Sequence, residues 1–246
     1  MGFIEFKKIY KAFDENVVYR DLSLSIKRGE TITIIGGSGS GKSVLLKMLM
    51  GIIKPDSGEI LINKNNIVTM GETELVSVRK KIGMLFQGSA LFDSITVAEN
   101  VAYGLRKHTD LSENKITDKV SRCLGMVGLF GIEDMMPADL SGGMKKRVAL
   151  ARAIAYDPQI ILYDEPTTGL DPTNANRINK LIIEMQKILK ITSIVVTHDM
   201  NSAFMVSNRI ALLYNKQVAA VTAAEDIKKS RDPLVKDFIT GNIGEL

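Results

Sequence analysis

The sequence predicts an α/β fold in which strand-forming segments enclose a long helical block. Short runs of β-branched and apolar residues occur at 31–35, 82–86, 160–163 and 194–197, as expected of buried strands. From about residue 96 to 155 the apolar residues instead recur at helical spacing. A chain of 246 residues is long enough for one large domain of this kind. We therefore expect a single domain over residues 1–246, with its core in 1–88 and 156–224, an inserted α-helical subdomain at about 89–155 and a C-terminal tail at 225–246.

The other segments predict an antiparallel β subdomain and the elements that complete the core. Residues 3–9 and 17–26 are strand-like on either side of a turn at 14–16. A strand is expected at 59–62 and a helix at 73–81. After a helix that Asp171 caps, strands at 210–214 and 217–222 lead to a polar, partly helical tail.

A glycine-rich loop joins the strand at 31–35 to the helix that follows it. Residues 36–43 spell Gly-Gly-Ser-Gly-Ser-Gly-Lys-Ser, which fits the phosphate-binding loop pattern G-x-x-x-x-G-K-[ST]. Glycines let the backbone curl so that its N–H groups face phosphate oxygens, and the start of the helix adds its positive dipole end. Lys42 is expected to reach the β- and γ-phosphates, and the Ser43 hydroxyl to ligate Mg²⁺. The loop therefore predicts a P-loop NTPase core; the alternative is a glycine-rich turn with a chance lysine.

Composition restricts the classes of function that remain. The net charge of +4 is modest, and no block of like charge indicates binding to nucleic acid. Cys123 is the only cysteine, so no intramolecular disulfide can form, and its apolar helical surroundings favour a core position. We expect no signal peptide, and no run reaches the roughly 20 apolar residues that span a bilayer. A role at a membrane is therefore expected to depend on a partner.

Two acidic residues follow the apolar strand at 160–163. A charge at the end of a buried strand is costly without a partner, and a Mg²⁺ ion shared with Ser43 would supply one for Asp164. Glu165 is then placed to polarise an attacking water molecule. The alternative for adjacent acids after a strand is a cluster that caps a helix.

Gln87 and His198 each follow a predicted buried strand and precede a turn. Ligands of open α/β sheets lie beyond the carboxyl ends of the strands, so both side chains are candidates to face the nucleotide. The alternative for each is an ordinary polar residue at a strand end. His108 has no such setting and is expected at the surface.

A second glycine pair opens a later helix, in the segment Leu140-Ser141-Gly142-Gly143. This predicts a second helix terminus that can bind an anion in the same chain. One γ-phosphate does not need two such sites from one subunit. We therefore expect this segment to contact the nucleotide of a second copy, in a head-to-tail pair with two-fold symmetry.

Together these motifs resemble those of the ATP-binding subunits of ABC transporters, and the resemblance covers nearly the whole chain. The matching set is the Walker A loop at 36–43, a Q-loop at Gln87, a signature at 140–144, a Walker B strand ending at Asp164 and Glu165, a D-loop at 169–171 and a switch at His198. The resemblance implies catalytic roles for Lys42, Gln87, Glu165 and His198, and Mg²⁺ ligands at Ser43, Gln87 and Asp164. It implies ATP contacts from Phe13, which would stack on adenine, and from Gly36, Gly37, Ser38, Gly39, Ser40, Gly41, Lys42, Ser43, Val44, Ser141, Gly142 and Gly143.

A closer similarity is to the ATPases that pair with MCE proteins in phospholipid transporters of the Mla type. It rests on residues 85–94 and 140–150. It implies ATP-driven phospholipid movement across the bacterial envelope, an integral-membrane permease, a periplasmic MCE-type subunit, and a location at the cytoplasmic face of the inner membrane. Two positions depart from the general pattern: Met144 replaces a glutamine, and Val44 replaces a threonine, which leaves only its backbone N–H for the α-phosphate.

Other functions remain open at this point. A soluble ABC ATPase acting on ribosomes or DNA usually has two cores or long coiled coils, and this chain shows neither. A small-molecule kinase is disfavoured by the signature and by Glu165. An importer of a polar solute such as an amino acid fits the same motifs, because the ATPase does not touch the cargo.

An apolar cluster follows Gln87 and predicts a docking surface. Its members are Ala90, Leu91, Phe92, Ile95, Val97 and Tyr103. Part of the cluster must pack into the core, but too many large residues occur for all to be buried. We therefore expect an exposed remainder where a helix of the permease would dock.

Overall fold

The computed structural model describes residues 2–227 and 233–239, excluding the side chains of the last two residues of this second range. The described residues form two compact units, one within 1–76 and 192–246 and the other over Ser77–Ile191. The first unit has two sheets, and the second has a parallel strand pair surrounded by helices. Helix α2, Glu72–Arg79, carries the chain from the first unit to the second. The α/β class and the P-loop core are confirmed, whereas the predicted subdomain limits at about 89 and 155 stay a prediction.

The first sheet of the first unit is antiparallel, with strand order β2-β1-β4-β5. Its strands are β1 Ile4–Phe13, β2 Asn16–Ile26, β4 Ser57–Ile62 and β5 Asn65–Asn66. Strand β1 runs four residues beyond the predicted end, because breaks in its register with β2 let it continue past Lys8, whose φ is 50°. The turn at 14–16 is confirmed, with Asp14 at φ 51°.

The second sheet of this unit has strand order β10-β9-β3-β8. Strands β3 Thr31–Gly36, β8 Thr192–Val196 and β9 Arg209–Tyr214 are parallel, and β10 Gln217–Ala223 is antiparallel to β9. All six residues of β3 and all five of β8 are buried, which explains their continuous apolar and β-branched composition. The predicted strand at 194–197 begins two residues earlier, where Thr192 and Ser193 are also buried.

Three helices of the first unit are α1 Lys42–Leu49, α7 Met200–Val206 and α8 Pro233–Ile239. Helix α8 confirms that the C-terminal tail is partly helical, although residues 228–232 and 240–246 of that tail lie outside the described chain. Val235 of α8 and Ala203 of α7 are buried in one apolar cluster, whose other buried members are Ile35, Ile210, Leu212 and Ile227. Burial of each large aliphatic side chain stabilises such a cluster by about 1.5–3 kcal/mol.

The second unit contains β6 Ile82–Leu85 paired in parallel with β7 Ile160–Asp164. Its other helices are α3 Val97–His108, α4 Glu113–Met126, α5 Gly142–Ile154 and α6 Pro172–Leu189. Cys123 of α4 is buried, as predicted, and burial raises the pKa of its thiol. His108 is exposed at the end of α3, also as predicted.

Candidate active site

The glycine loop after β3 adopts a conformation that its sequence makes possible. Gly39 and Gly41 have φ values of 74° and 98°, in the left-handed region where a side chain is strained. A Cβ on Gly36 would lie 2.7 Å from the main-chain oxygen of Leu213, and one on Gly41 would lie 2.6 Å from Cγ1 of Val18. These glycines are therefore required both by the turn and by its close neighbours.

The start of α1 is suited to an anion. Its N-cap is Gly41, so no side chain caps the helix, and its first turn has no acidic residue. The Ser40 hydroxyl is buried and has no hydrogen-bond partner among the described residues. An uncapped terminus carries the positive end of the helix dipole, which favours a phosphate group at this position.

Lys42 lies over the loop that precedes it. Its ammonium donates to the main-chain oxygens of Gly36, at 2.8 Å, and Gly37, at 2.9 Å. The side chain is thus held on the surface of the loop where phosphates are expected. Ser43 follows on the first turn of α1. The Val44 N–H, expected to contact the α-phosphate, here donates to the main-chain oxygen of Gly41 at 2.7 Å.

Phe13 lies at the end of β1 with 42% of its surface exposed. The ammonium of Lys11 is 5.0 Å from the centre of its ring, and the same group is paired with Asp56 at 2.7 Å. The cation and the strand end orient the ring while leaving part of it accessible. An exposed aromatic ring of this kind can stack on a nucleobase.

Strand register brings His198 to the same sheet edge as the glycine loop. Ile34 of β3 is paired with Val196 of β8, and both strands run in the same direction. Gly36 and His198 each follow two residues later, at the carboxyl ends where ligands of such sheets bind. His198 is exposed, and the next residue, Asp199, caps α7 by accepting from Asn201 at 2.9 Å.

In the second unit, a parallel strand pair likewise brings two predicted site residues to one sheet edge. Leu85 of β6 is paired with Tyr163 of β7, so Gln87 and Glu165 occupy corresponding positions beyond the two strand ends. Asp164 is the last residue of β7 and is half-buried. The predicted strand at 82–86 ends one residue early, at Leu85, and Gln87 lies in the exposed turn that follows.

Glu165 has a strained backbone. Its φ is 48°, which a non-glycine residue adopts at a cost of about 1–3 kcal/mol and which is frequent at functional sites. Thr168 supports this conformation from within the turn. Its hydroxyl donates to Oε2 of Glu165 at 3.1 Å, and its N–H donates to the Glu165 main-chain oxygen at 3.3 Å.

The turn after Gln87 is held by two cations of α5. Ser89 and Ala90 have φ values of 63° and 49°, so this segment is also strained. Arg152 donates to the main-chain oxygens of both residues, at 3.0 and 2.7 Å. Lys146 donates to the main-chain oxygen of Gln87 at 2.5 Å.

The signature segment begins α5. Ser141 is the exposed N-cap, and its hydroxyl accepts from the Met144 N–H at 3.3 Å. Gly143 is buried, and a Cβ there would lie 2.8 Å from Oδ1 of Asn174. Asn174 also donates to Asp171, the N-cap of α6, at 2.5 Å. The signature therefore packs on the D-loop and its helix. Hydrogen bonds with Asn174 also lower the pKa of the Asp171 carboxyl group.

The side chains of the predicted magnesium ligands carry the oxygen atoms that a hard cation prefers. Ser43, Gln87 and Asp164 offer only oxygen donors in their hydroxyl, amide carbonyl and carboxylate groups, and Mg²⁺ is typically bound by few such protein ligands plus phosphates and water. Within the described residues, no three His, Cys, Asp or Glu side chains converge as a metal-binding group.

The predicted exposed remainder of the cluster after Gln87 is confirmed: Ala90, Phe92 and Tyr103 are exposed, whereas Leu91 and Ile95 are half-buried. Phe92 and Tyr103 are each 44% exposed, and their ring centres are 4.7 Å apart. Val97, which belonged to the same predicted cluster, is fully buried because it begins α3 on its inner face. Buried Asn100 orders the connection by exchanging hydrogen bonds with the main chain of Phe92 at 2.8 and 3.0 Å.

Four supporting residues were not found from sequence. Tyr19 donates to the main chain of Gly41, and Lys146, Arg152 and Asn100 hold turns of the second unit. Of these four, only Asn100 lies beside a pattern that is recognisable in the sequence, the Thr96–Glu99 capping box at the start of α3. The other three act over long sequence separations.

Comparisons with known proteins agree with this geometry. The ABC transporter family model matches residues 19–168. The chain is 42% identical to the intermembrane phospholipid transport system ATP-binding protein MlaF of Haemophilus influenzae, over 97% of this chain and 90% of that protein. It is 40% identical to the probable ribonucleotide transport ATP-binding protein mkl of Mycobacterium leprae, over 97% of this chain and 69% of that protein.

Solved structures of ATP-binding cassettes have the same fold. The dimeric post-hydrolysis state of the cassette MJ0796 bound to ADP and Pi matches with a TM-score of 0.82 and 33% identity, over 90% of this chain and 98% of that one. The structure of cbiO1 from Clostridium perfringens, part of the ABC transporter complex cbiONQ, matches with a TM-score of 0.86 and 31% identity, over 97% and 95% of the two chains. Among residues 2–227 and 233–239, no helix combines the length and apolar character that crossing a bilayer requires. The chain belongs to the ABC transporter family, as an ATP-binding subunit that hydrolyses ATP.

Proposed function

We propose that this subunit energises phospholipid transport across the bacterial envelope through a membrane permease. The observation that carries the proposal is the 42% identity with MlaF, a phospholipid transport ATP-binding protein, over 90% of its length. The division of the chain into a core and an inserted helical subdomain at about 89–155 is part of the same proposal.

One observation points to a second class of cargo. The chain is 40% identical to mkl, whose name assigns it to ribonucleotide transport, but it spans only 69% of that longer protein. The greater coverage of MlaF favours phospholipid as cargo. Since the ATPase contacts the permease and not the cargo, the two candidates, and a polar solute such as an amino acid, must be separated by experiment.

In the proposed reaction, the glycine loop and Lys42 bind the phosphates of ATP while Phe13 stacks on its base. The support is the uncapped start of α1 and the position of the Lys42 ammonium, 2.8 Å from the Gly36 oxygen. Glu165 then orients and polarises the attacking water, and His198 contacts the γ-phosphate. Positioned charges of this kind lower the barrier by offsetting charge that develops in the transition state.

Mg²⁺ bound with ATP would neutralise phosphate charge, and we propose that Ser43, Gln87 and Asp164 hold it. Gln87 is proposed to have a second role, because its turn is anchored to α5 through its own main-chain oxygen. A change in the position of the Gln87 side chain can then be transmitted to the surface near Phe92.

We propose that two copies form a head-to-tail dimer in which Ser141, Gly142 and Gly143 cover the ATP of the other copy. The exposed N-cap at Ser141 supports this role, because a second helix start is presented outward. A dimer is also the state of the related cassette MJ0796. Closure of such a dimer would complete the site and gate hydrolysis.

The partners in this proposal are integral-membrane permease subunits and a periplasmic MCE-type lipid-binding subunit, without nucleic acid. The exposed pair Phe92 and Tyr103 supports docking of a permease helix, since an exposed aromatic pair is suited to a helix-in-groove contact. The subunit would then act as a peripheral protein at the cytoplasmic face of the inner membrane.

The experiment that tests the cargo is purification of the intact complex from membranes, followed by mass spectrometry of its subunits and bound small molecules. We expect a permease, an MCE-type protein and co-purifying phospholipid whose release depends on ATP. Co-purification of a solute-binding protein with a nucleotide or amino acid, and no ATP-dependent release of lipid, would overturn the phospholipid assignment.

A further inference from the structure

Lys146 is a buried lysine on α5, the helix that begins with the signature segment. Only 4% of its surface is exposed. Its ammonium donates to two main-chain oxygens, that of Gln87 at 2.5 Å and that of Glu165 at 3.3 Å. One side chain therefore joins the turn after β6 to the turn after β7.

Both turns have strained backbones that need such support. Glu165 has a φ of 48°, and Ser89 and Ala90 beyond Gln87 have φ values of 63° and 49°. Residues in these regions keep their conformation only when their surroundings over-determine it. The Lys146 ammonium is one of the groups that do so, since it bonds directly to the Glu165 oxygen.

A charged group in this position is costly by itself. Burial lowers the pKa of Lys146, whereas the nearby carboxylates of Glu165 and Asp164 raise it. A lysine that only filled space on α5 could be replaced by an apolar side chain without this cost. Its two hydrogen bonds to the turns that carry Gln87 and Glu165, together with the two nearby carboxylates, offset this cost.

We propose that Lys146 is a positioning residue that couples the signature segment of α5 to the Gln87 and Glu165 turns of the same subunit. The proposal rests on the proposed function, in which Ser141–Gly143 contact the nucleotide of the other copy. Movement of α5 when the signature engages that nucleotide is transmitted by Lys146 to the turn that holds Glu165. The two nucleotides of the dimer are thereby linked through one side chain in each subunit.

The first test is steady-state ATPase activity of the full chain against ATP concentration. Lys146→Met removes the donors at similar length, and we expect kcat to fall about tenfold, KM to change less than about twofold, and the Hill coefficient to fall toward about one. Lys146→Arg keeps a buried cation with several donors, and it should retain kcat within about threefold and preserve cooperativity. Lys115→Met, at an exposed position of α4, is the matched control and should behave as wild type.

The second test does not depend on hydrolysis. In nucleotide-free protein, hydrogen exchange of the amides at 87–90 and of Glu165, Thr167 and Thr168 should be faster in Lys146→Met than in wild type, and unchanged in Lys115→Met. If Lys146→Met does not fold, Lys146→Gln, which can donate to one turn, serves for both tests. Faster exchange is then expected in at least one of the two turns, with an intermediate kcat.

Several outcomes would overturn the proposal. They are kcat and exchange in Lys146→Met that equal those of the wild type, a Hill coefficient of about one for wild-type protein that does form the ATP-bound dimer, or a loss of kcat that Lys146→Arg does not rescue and that follows Tm alone. Failure of the proposed function would look different. Both the wild type and Glu165→Gln would then remain monomeric with ATP, whereas the exchange results on Lys146 would still report its contacts.

Discussion

The hydroxyl of Tyr19 donates a hydrogen bond to the main-chain oxygen of Gly41, at 2.5 Å, directly behind the glycine loop. Tyr19 is fully buried on β2, and burial raises the pKa of its phenol above its ordinary value, which already keeps the hydroxyl protonated at neutral pH. Because Gly41 is the N-cap of α1, this bond sets the position of the helix start that is proposed to face the phosphates.

Tyr19→Phe should therefore weaken both the fold and ATP binding. The Gly41 oxygen keeps the N–H groups of Val44 and Leu45 as donors, so the loss of the buried Tyr19 bond is expected to cost about 1 kcal/mol of unfolding free energy, or about 2–4 °C in Tm. The ATP dissociation constant should rise about threefold to tenfold, measured with a fluorescent ATP analogue. Tyr10→Phe, on an exposed part of β1, is the control. Unchanged ATP affinity in Tyr19→Phe would contradict a role in shaping the loop.

Lys42→Ala should abolish hydrolysis and weaken ATP binding. The substitution removes the cation proposed to contact the β- and γ-phosphates, and hydrogen bonds to charged groups are worth about 1.5–3 kcal/mol. The dissociation constant should therefore rise about tenfold to a hundredfold in calorimetric titrations. Lys47→Ala, an exposed position on the same helix, should leave binding unchanged. Wild-type turnover in Lys42→Ala would refute the assignment of the phosphate loop.

Glu165→Gln should bind ATP and stop before hydrolysis. The substitution preserves shape but removes the base, and such groups contribute about 10²–10⁴-fold to rates. A closed dimer with two trapped ATP molecules should accumulate, and light scattering with nucleotide analysis would detect it. Glu184→Gln, exposed on α6, is the control for the lost charge. A variant that remains monomeric with ATP and hydrolyses it at full rate would rule out the head-to-tail arrangement.

Met144→Gln should be tolerated. Met144 contributes its N–H to the Ser141 cap, and this contact does not depend on the side chain. Restoring a polar side chain near the partner's nucleotide should change kcat by less than about tenfold, or 1.4 kcal/mol of barrier. The measurement is steady-state ATPase activity beside a thermal melt. A complete loss of activity with an unchanged Tm would mean that the methionine side chain itself contacts the other copy.

Charge substitutions at Leu91 or Phe92 should separate hydrolysis from coupling. Phe92 is 44% exposed beside Tyr103, so Phe92→Glu should leave Tm and basal ATPase activity of the isolated subunit largely intact. The same variant should no longer co-purify with the permease or support transport. Ile188→Glu, at a 65% exposed position on α6, is the matched control and should still co-purify. If Phe92→Glu unfolds the isolated subunit, the ring is part of the core and docking occurs elsewhere.

Local sequence was sufficient to predict the elements that present the candidate site. The order of strand, glycine loop and helix depends on neighbouring residues: β3 needs buried β-branched side chains, and the turn needs residues such as Gly39 and Gly41 that accept positive φ. The same holds for the strand ends at Asp164 and His198, because a polar residue that follows an apolar run can be recognised from the sequence alone. These patterns determined the fold class and the residues predicted to form the site.

Tertiary structure alone decided which residues support those positions. Tyr19 and Gly41 are 22 residues apart, Lys146 and Gln87 are 59 apart, and Arg152 and Ala90 are 62 apart. In sequence, Tyr19 is an ordinary strand residue and Lys146 an ordinary helix residue. Their roles arise because packing buries a phenol or an ammonium within hydrogen-bond distance of a main-chain oxygen that is remote in sequence. No local sequence pattern predicts these hydrogen bonds, since they depend on how strands and helices that are distant in sequence pack together in the folded chain.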